Sequence, residues 1–127
     1  MNPISEALTA FGRSLGLTEF RWPEASGMAV FAFDERGTLY VEVRDETVLL
    51  YLSRELARHQ PRLELLKNAL RLCHYQHQWP YAAQAGLRGE TQLVFLARLP
   101  ARQVTLPELE QALELLTRLH ERCAASG

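Results

Sequence analysis

The stretch "TQLVFLARL", Thr91 to Leu99, limits what this chain can fold into more than any other. Strand side chains alternate, so Leu93, Phe95, Ala97 and Leu99 share one face, and Gln92, Val94, Leu96 and Arg98 share the other. Both faces are apolar in the middle. A strand that is greasy on both sides needs cover on both sides. At 127 residues the chain is expected to be one domain, 1–127, able to bury roughly 65–70% of its unfolded surface. That is enough for one real core without staples.

Other runs repeat the pattern. "MAVFAF" (28–33), "TLYVEVR" (38–44) and "TVLLYLS" (47–53) read as three strands. The joins are short, "DERG" and then Asp45-Glu46, which makes an antiparallel meander with Gly37 supplying the positive φ of a tight turn. Only the middle run alternates cleanly between Leu39, Val41, Val43 and Glu42, Arg44. A strand at 81–87 and the opening stretch form a second hairpin through "RGE".

Three helices are expected around these strands. The first spans 3–16, with Ile4, Leu8, Phe11 and Leu15 in one stripe, Asn2 as N-cap, Pro3 at the first helical position and Gly16 as terminator. The second spans 61–78, between Pro61 and Pro80, after an irregular or helical lead-in "SRELARHQ". It carries two adjacent stripes, Leu63, Leu66, Leu70, Cys73 and Leu65, Ala69, Leu72, an arc wider than packing on one sheet face requires. The third opens with the capping box Thr105/Glu108 and continues through Leu106, Leu109, Leu113 and Leu116, widened by Leu115 and Leu119. The order α-β-β-β-α-β-β-α, with hairpins and helices segregated, is the α+β class with an antiparallel sheet.

Chemistry finds little support. The formal net charge of −1 and the lack of a basic run give no nucleic-acid footprint. The N-terminus lacks a signal-peptide pattern, and no apolar run nears the ~20 residues that span a bilayer, so no membrane insertion is expected. Cys73 and Cys123 show no framework spacing, which suits free thiols in a reducing, cytoplasmic compartment. "CHYQHQW" brings Cys73, His74 and His77 within one helical stretch, but a zinc site needs three or four ligands in tetrahedral array. His59 and His120 stand apart from that cluster. Asp34, Glu35, Asp45 and Glu46 are turn formers. No nucleophile elbow, P-loop or dinucleotide fingerprint is present. The expectation is therefore no catalytic residues, no metal and no cofactor; a small Cys/His metal protein is the outlying alternative.

What remains is apolar surface beyond what three helices cover. A tighter wrap within one chain is one solution, and cover from other chains is the other, by dimerisation and by a bound polypeptide.

The element order, the length and this excess resemble the class I chaperones of type III secretion (the CesT/SycE-like dimers), most closely the SycN type. The similarity is carried by "YLSRELARH" (51–59), "AGLRGETQLVFLARL" (85–99) and "VTLPELEQALELLTRL" (104–119) and covers nearly the whole chain. It implies a chaperone that uses no nucleotide and keeps the N-terminal segment of a secreted protein, a YopN-like gatekeeper, soluble and secretion-competent. It also implies a dimer around the second helix and fourth strand, formed with itself or with a second small chaperone. Candidate dimer residues are Leu65, Leu72, Trp79, Tyr81 and Ala83, with intrachain core equally open for Leu65 and Leu72. Candidate client-binding residues are Phe11, Leu15, Phe20, Met28, Val30 and Phe31, and Trp22 fits either an exposed anchor or a loop plug. The near-neutral charge departs from the acidic character usual in such chaperones. A regulatory binding module of the same fold, sequestering a secretion regulator, would use the same patches.

Overall fold

The computed structural model describes residues 2–56, 61–74 and 83–126. Helix α1 (Pro3–Ser14) starts as its sequence dictates: the Asn2 side chain accepts the Ser5 N–H at 2.8 Å and Pro3 occupies the first turn. It stops at Ser14, short of the expected 16, and Gly16 takes a positive φ of 104° just beyond. Strands β1 (Met28–Phe33), β2 (Gly37–Arg44) and β3 (Thr47–Glu55) form the meander. Gly37 is required at its turn, at φ 110°, because a Cβ there would collide with the Ser53 carbonyl.

Helix α2 (Arg62–His74) precedes the hairpin of β4 (Ala83–Arg88) and β5 (Gln92–Pro100), and α3 (Leu106–Ser126) closes the chain. The remainder of the helix expected to 78, the start of the strand expected at 81, and Trp79 and Tyr81 lie outside the described residues. Ala101–Gln103 forms a short 3-10 turn that sequence pattern missed. The Thr105 hydroxyl accepts the Glu108 N–H at 3.3 Å, the N-cap half of the expected box.

The five strands form one antiparallel sheet in the order β1-β2-β3-β5-β4, so the opening stretch sits inside the sheet, between β3 and β4. Its inner residues Leu93, Phe95, Ala97 and Leu99 are all buried. They continue rows that run across the sheet, such as Phe31, Leu39, Leu52, Phe95 and Ala85. On that face α3 lies against β3 and β5 and is flanked by α1 and α2. Leu109, Ala112, Leu116 and Leu119 of α3 have no exposed surface. Burying a Leu side chain fully contributes about 1.5–3 kcal/mol, so this one helix supplies a large part of the core. His120 is inserted among these leucines: its ring N–H donates to the Leu52 carbonyl at 2.7 Å, and it stands nearly perpendicular to the Phe95 ring at 4.7 Å between centroids.

Candidate functional site: the uncovered faces

Helix α2 divides its two stripes. Leu65 and Ala69 turn inward and join the core, with Leu72 packed against it. Leu63 and Leu70, seven residues and two turns apart, remain 64% and 49% exposed, with Leu66 and Cys73 half-buried beside them. Leu65 and Ala83, expected at a dimer interface, are therefore core residues of the chain, and Leu72 is half-covered by it. The free stripe is the other one. Sequence periodicity shows both stripes but not which one the sheet takes.

Burial pushes the Cys73 thiol up to about 11, so it stays protonated near neutral pH, and burial raises Cys123 as well. The Cys123 thiol donates to the Leu65 carbonyl at 3.4 Å and ties α3 to α2. Among the described residues no group of three His, Cys, Asp or Glu side chains could hold a metal ion; His77 lies outside them.

The second uncovered region is the outer face of the sheet. Across it run Val30, Tyr40, Tyr51, Leu96 and Gln84 in one row, and Ala32, Thr38, Ser53, Val94 and Gly86 in the next. Among the described residues no helix is packed there in the way α3 is packed on the inner face. The sheet curls enough for Arg88, on edge strand β4, to place its guanidinium 4.4 Å over the Tyr40 ring of β2. Beneath lies a groove of about 440 Å³ floored by Tyr40, Tyr51, Val94 and Leu96. Burial, and then the Glu42 carboxylate, push the Tyr51 phenol up, so the floor is uncharged. Met28 and Val30 stand 46% and 57% exposed at the β1 side. The middle of the outer face of "TQLVFLARL", Val94 and Leu96, is thus a half-buried part of this floor.

The third region surrounds α1, where the six client candidates separate. Phe11 is completely buried and Phe31 nearly so, with rings edge to face at 6.1 Å between centroids, so neither offers surface to a client in this chain. Leu15 and Phe20 are half-buried against the core, and Met28 and Val30 are exposed on the opposite side of the sheet. Trp22 is a plug: it is buried and belongs to the core.

The segment between α1 and β1 lies back along the helix. Its attachments climb α1 one turn at a time: the Ser5 hydroxyl donates to Glu24 at 2.7 Å, Thr9 Oγ1 accepts the Trp22 N–H at 3.1 Å, and Arg13 Nε donates to the Phe20 carbonyl at 3.1 Å. Gly12 is buried under this strap, and a Cβ on it would overlap the Phe20 ring. A glycine inside a helix costs about 0.5–1 kcal/mol relative to alanine, and close approach of the ring explains its presence. The four-residue spacing of Ser5, Thr9 and Arg13 was visible in the sequence, but the strap it holds was not.

The five-stranded antiparallel sheet with three helices found among the described residues superposes on chains of several solved complexes. A chain of the HopA1–SchA chaperone–effector complex superposes with a TM-score of 0.65 at 20% identity, covering 94% of this chain and 89% of that one. A chain of the ExsC–ExsE complex gives 0.66 at 23% identity, with coverage of 89% and 84%. A chain of the ExoU–SpcU complex from Pseudomonas aeruginosa gives 0.67 at 14%, with coverage of 91% and 93%. The fold is that of a type III secretion chaperone.

The particular family follows from sequence likeness. Residues 3–124 match the family described as type III secretory system chaperone SycN, and the chain belongs to that family. The chaperone protein SycN of Yersinia enterocolitica is 41% identical over 91 residues, spanning 72% of this chain and 73% of the relative. That of Yersinia pseudotuberculosis is 40% identical over the same extent. Among the described residues no helix is long and apolar enough to cross a membrane.

Proposed function

We propose that this type III secretion chaperone works in the bacterial cytoplasm by binding alone, without catalysis or cofactor. It pairs through α2 and β4 with itself or with a second small chaperone and holds the N-terminal segment of a YopN-like gatekeeper. The observation that carries this reading is the pairing of a closed inner core with two apolar surfaces that the chain leaves open: the Leu63/Leu70 stripe and the outer sheet groove. The stripe supports the assembly role, and from the family resemblance Trp79 and Tyr81 are assigned to that same role. The groove, with Met28 and Val30 at its side, supports the client role. Apolar burial gains about 25 cal/mol per Å², and ordering an extended client offsets part of that gain, which leaves release feasible.

The test is co-purification of the gatekeeper's first hundred or so residues with this chain and a co-expressed second chaperone. The expected result is a stable complex that is lost when that segment is deleted. Failure of every gatekeeper segment to be retained contradicts the reading.

A further inference from the structure

The charge around the outer groove is uneven. The carboxylate beside its floor, Glu42, is already engaged: Arg44 Nη2 donates to it at 2.7 Å, and the Tyr51 hydroxyl donates at 3.5 Å. Two arginines on the same face, Arg88 and Arg98, are exposed, and among the described residues neither has a carboxylate within ion-pair distance. Glu55 shares a register row with Arg88 across Gln92 and does not reach it. The groove is therefore bordered by unpaired positive charge, on a chain whose formal net charge is −1.

Arg88 differs from Arg98 in lining the groove and in being held. Its guanidinium carbon lies 4.4 Å from the centre of the Tyr40 ring, and its N–H groups donate to nothing among the described residues. A guanidinium stacked on a ring still presents the N–H fork at its edge, which matches a carboxylate with two parallel hydrogen bonds. A carboxylate can thus meet Arg88 where it stands, with no side chain displaced. The volume of about 440 Å³ beneath has room for a few side chains.

We propose that Arg88, seated on Tyr40, is the selectivity element of the outer groove: it binds a carboxylate of the client segment beside an apolar side chain that lies on Tyr51, Val94 and Leu96. The occupant is an extended polypeptide stretch in which acidic and large apolar residues are neighbours. It lies on the face of the sheet, where the ladder already uses the backbone groups of β3 and β5, so side chains carry the recognition. Tyr40 is a positioning residue: by holding the guanidinium it reduces the freedom lost when the carboxylate binds. The client part of this inference rests on the reading given under Proposed function; the preference of the groove for an acidic segment does not.

Two readouts separate them. The first uses the capped tripeptides acetyl-Leu-Glu-Leu-amide and acetyl-Leu-Gln-Leu-amide, which match in shape and differ in charge, followed by NMR shifts of the Tyr51 ring in neutral, low-salt buffer. The unaltered chain should bind the Glu peptide about fivefold more tightly, near the upper end for a pair open to water. Arg88→Gln should abolish this preference and leave the Gln peptide unaffected. Arg88→Lys keeps the charge without the fork and should retain a preference of about twofold. Tyr40→Leu should weaken the preference although the arginine remains, and thermal midpoints check that each variant is folded. The second readout is affinity for the gatekeeper's N-terminal segment, which should fall about fivefold in Arg88→Gln.

Equal affinity for the two peptides, no binding of either, or a preference that survives Arg88→Gln overturns the proposal. So does tighter binding of dodecanoate than of the Glu peptide, which assigns the groove to a small lipid-like acid. Loss of a two-subunit mass in Arg88→Gln overturns it too, by assigning the groove to a second chain. Peptide selectivity with unchanged gatekeeper affinity overturns the client's use of Arg88. Peptide selectivity with no gatekeeper binding in any form overturns the gatekeeper reading and its use of Arg88, and leaves the selective groove.

Discussion

Helices α2 and α3 are both rich in leucine, yet the chain treats them differently. In α3 the residues Leu109, Leu113, Leu115, Leu116 and Leu119 are all buried, and the helix lies across the interior strands β3 and β5. In α2 only Leu65 and Ala69 are buried, and the helix rests on edge strand β4 and on α3. One helix completes the fold. The other uses half of its apolar arc for the fold and leaves Leu63 and Leu70 exposed. The faces of the sheet repeat the lesson, with a closed inner face under α3 and an open, tyrosine-floored outer one.

This difference predicts where substitutions act. Leu116→Ala removes a fully buried side chain from α3, and should cost about 2–5 kcal/mol in urea unfolding. A loss below about 1 kcal/mol would mean that α3 is not the central element of the core.

His120 sharpens the point through pH. Burial is the main cause that holds its imidazole down at about 4; the bond to Leu52 partly opposes the shift and the charge of Arg54 adds to it. The unfolded chain takes up this proton near 6.5, the folded chain only near 4, so stability is intact above 6.5 and falls as the pH drops between those values. The full difference is about 3 kcal/mol. His120→Gln, which retains an N–H donor for the Leu52 carbonyl, should flatten this part of the pH profile. An unchanged slope between pH 6.5 and 4 would show that His120 is not kept neutral by the core.

At the start of α3, Thr105→Ala removes the hydroxyl that accepts the Glu108 N–H and should cost about 1 kcal/mol in the same unfolding assay. The smallest effect on the fold is expected on α2. Leu63→Asp with Leu70→Asp should change the stability of the isolated chain by no more than about 0.5 kcal/mol per site, since both side chains already face water.

Much of this was legible in the sequence because it depends on local rules. The Asn2 and Thr105 caps, the Gly37 turn and the alternation of β2 each follow from the chemistry of a few neighbouring residues. The site was less legible because it depends on choices between equals. Leu65/Ala69/Leu72 and Leu63/Leu66/Leu70/Cys73 are equally good apolar stripes, and only the placement of α2 against β4 and α3 selects the first for the core. Phe11 and Phe31 are large apolar residues on expected elements, and a client surface and a core demand the same residue type. Gly12 gave a signal, a glycine in the middle of an amphipathic helix, but the ring that explains it comes from a loop with no periodicity to read.

The central claim is that the exposed stripe of α2 is an assembly surface, and the most direct test is mass by size exclusion with light scattering. The unaltered chain and the Leu63→Asp/Leu70→Asp variant would each be expressed alone and with a second small chaperone. The account predicts a two-subunit species for the unaltered chain in at least one of these conditions, and a folded monomer for the variant in both. An unaltered chain that remains a soluble monomer in both conditions, or a variant that still pairs, would contradict it.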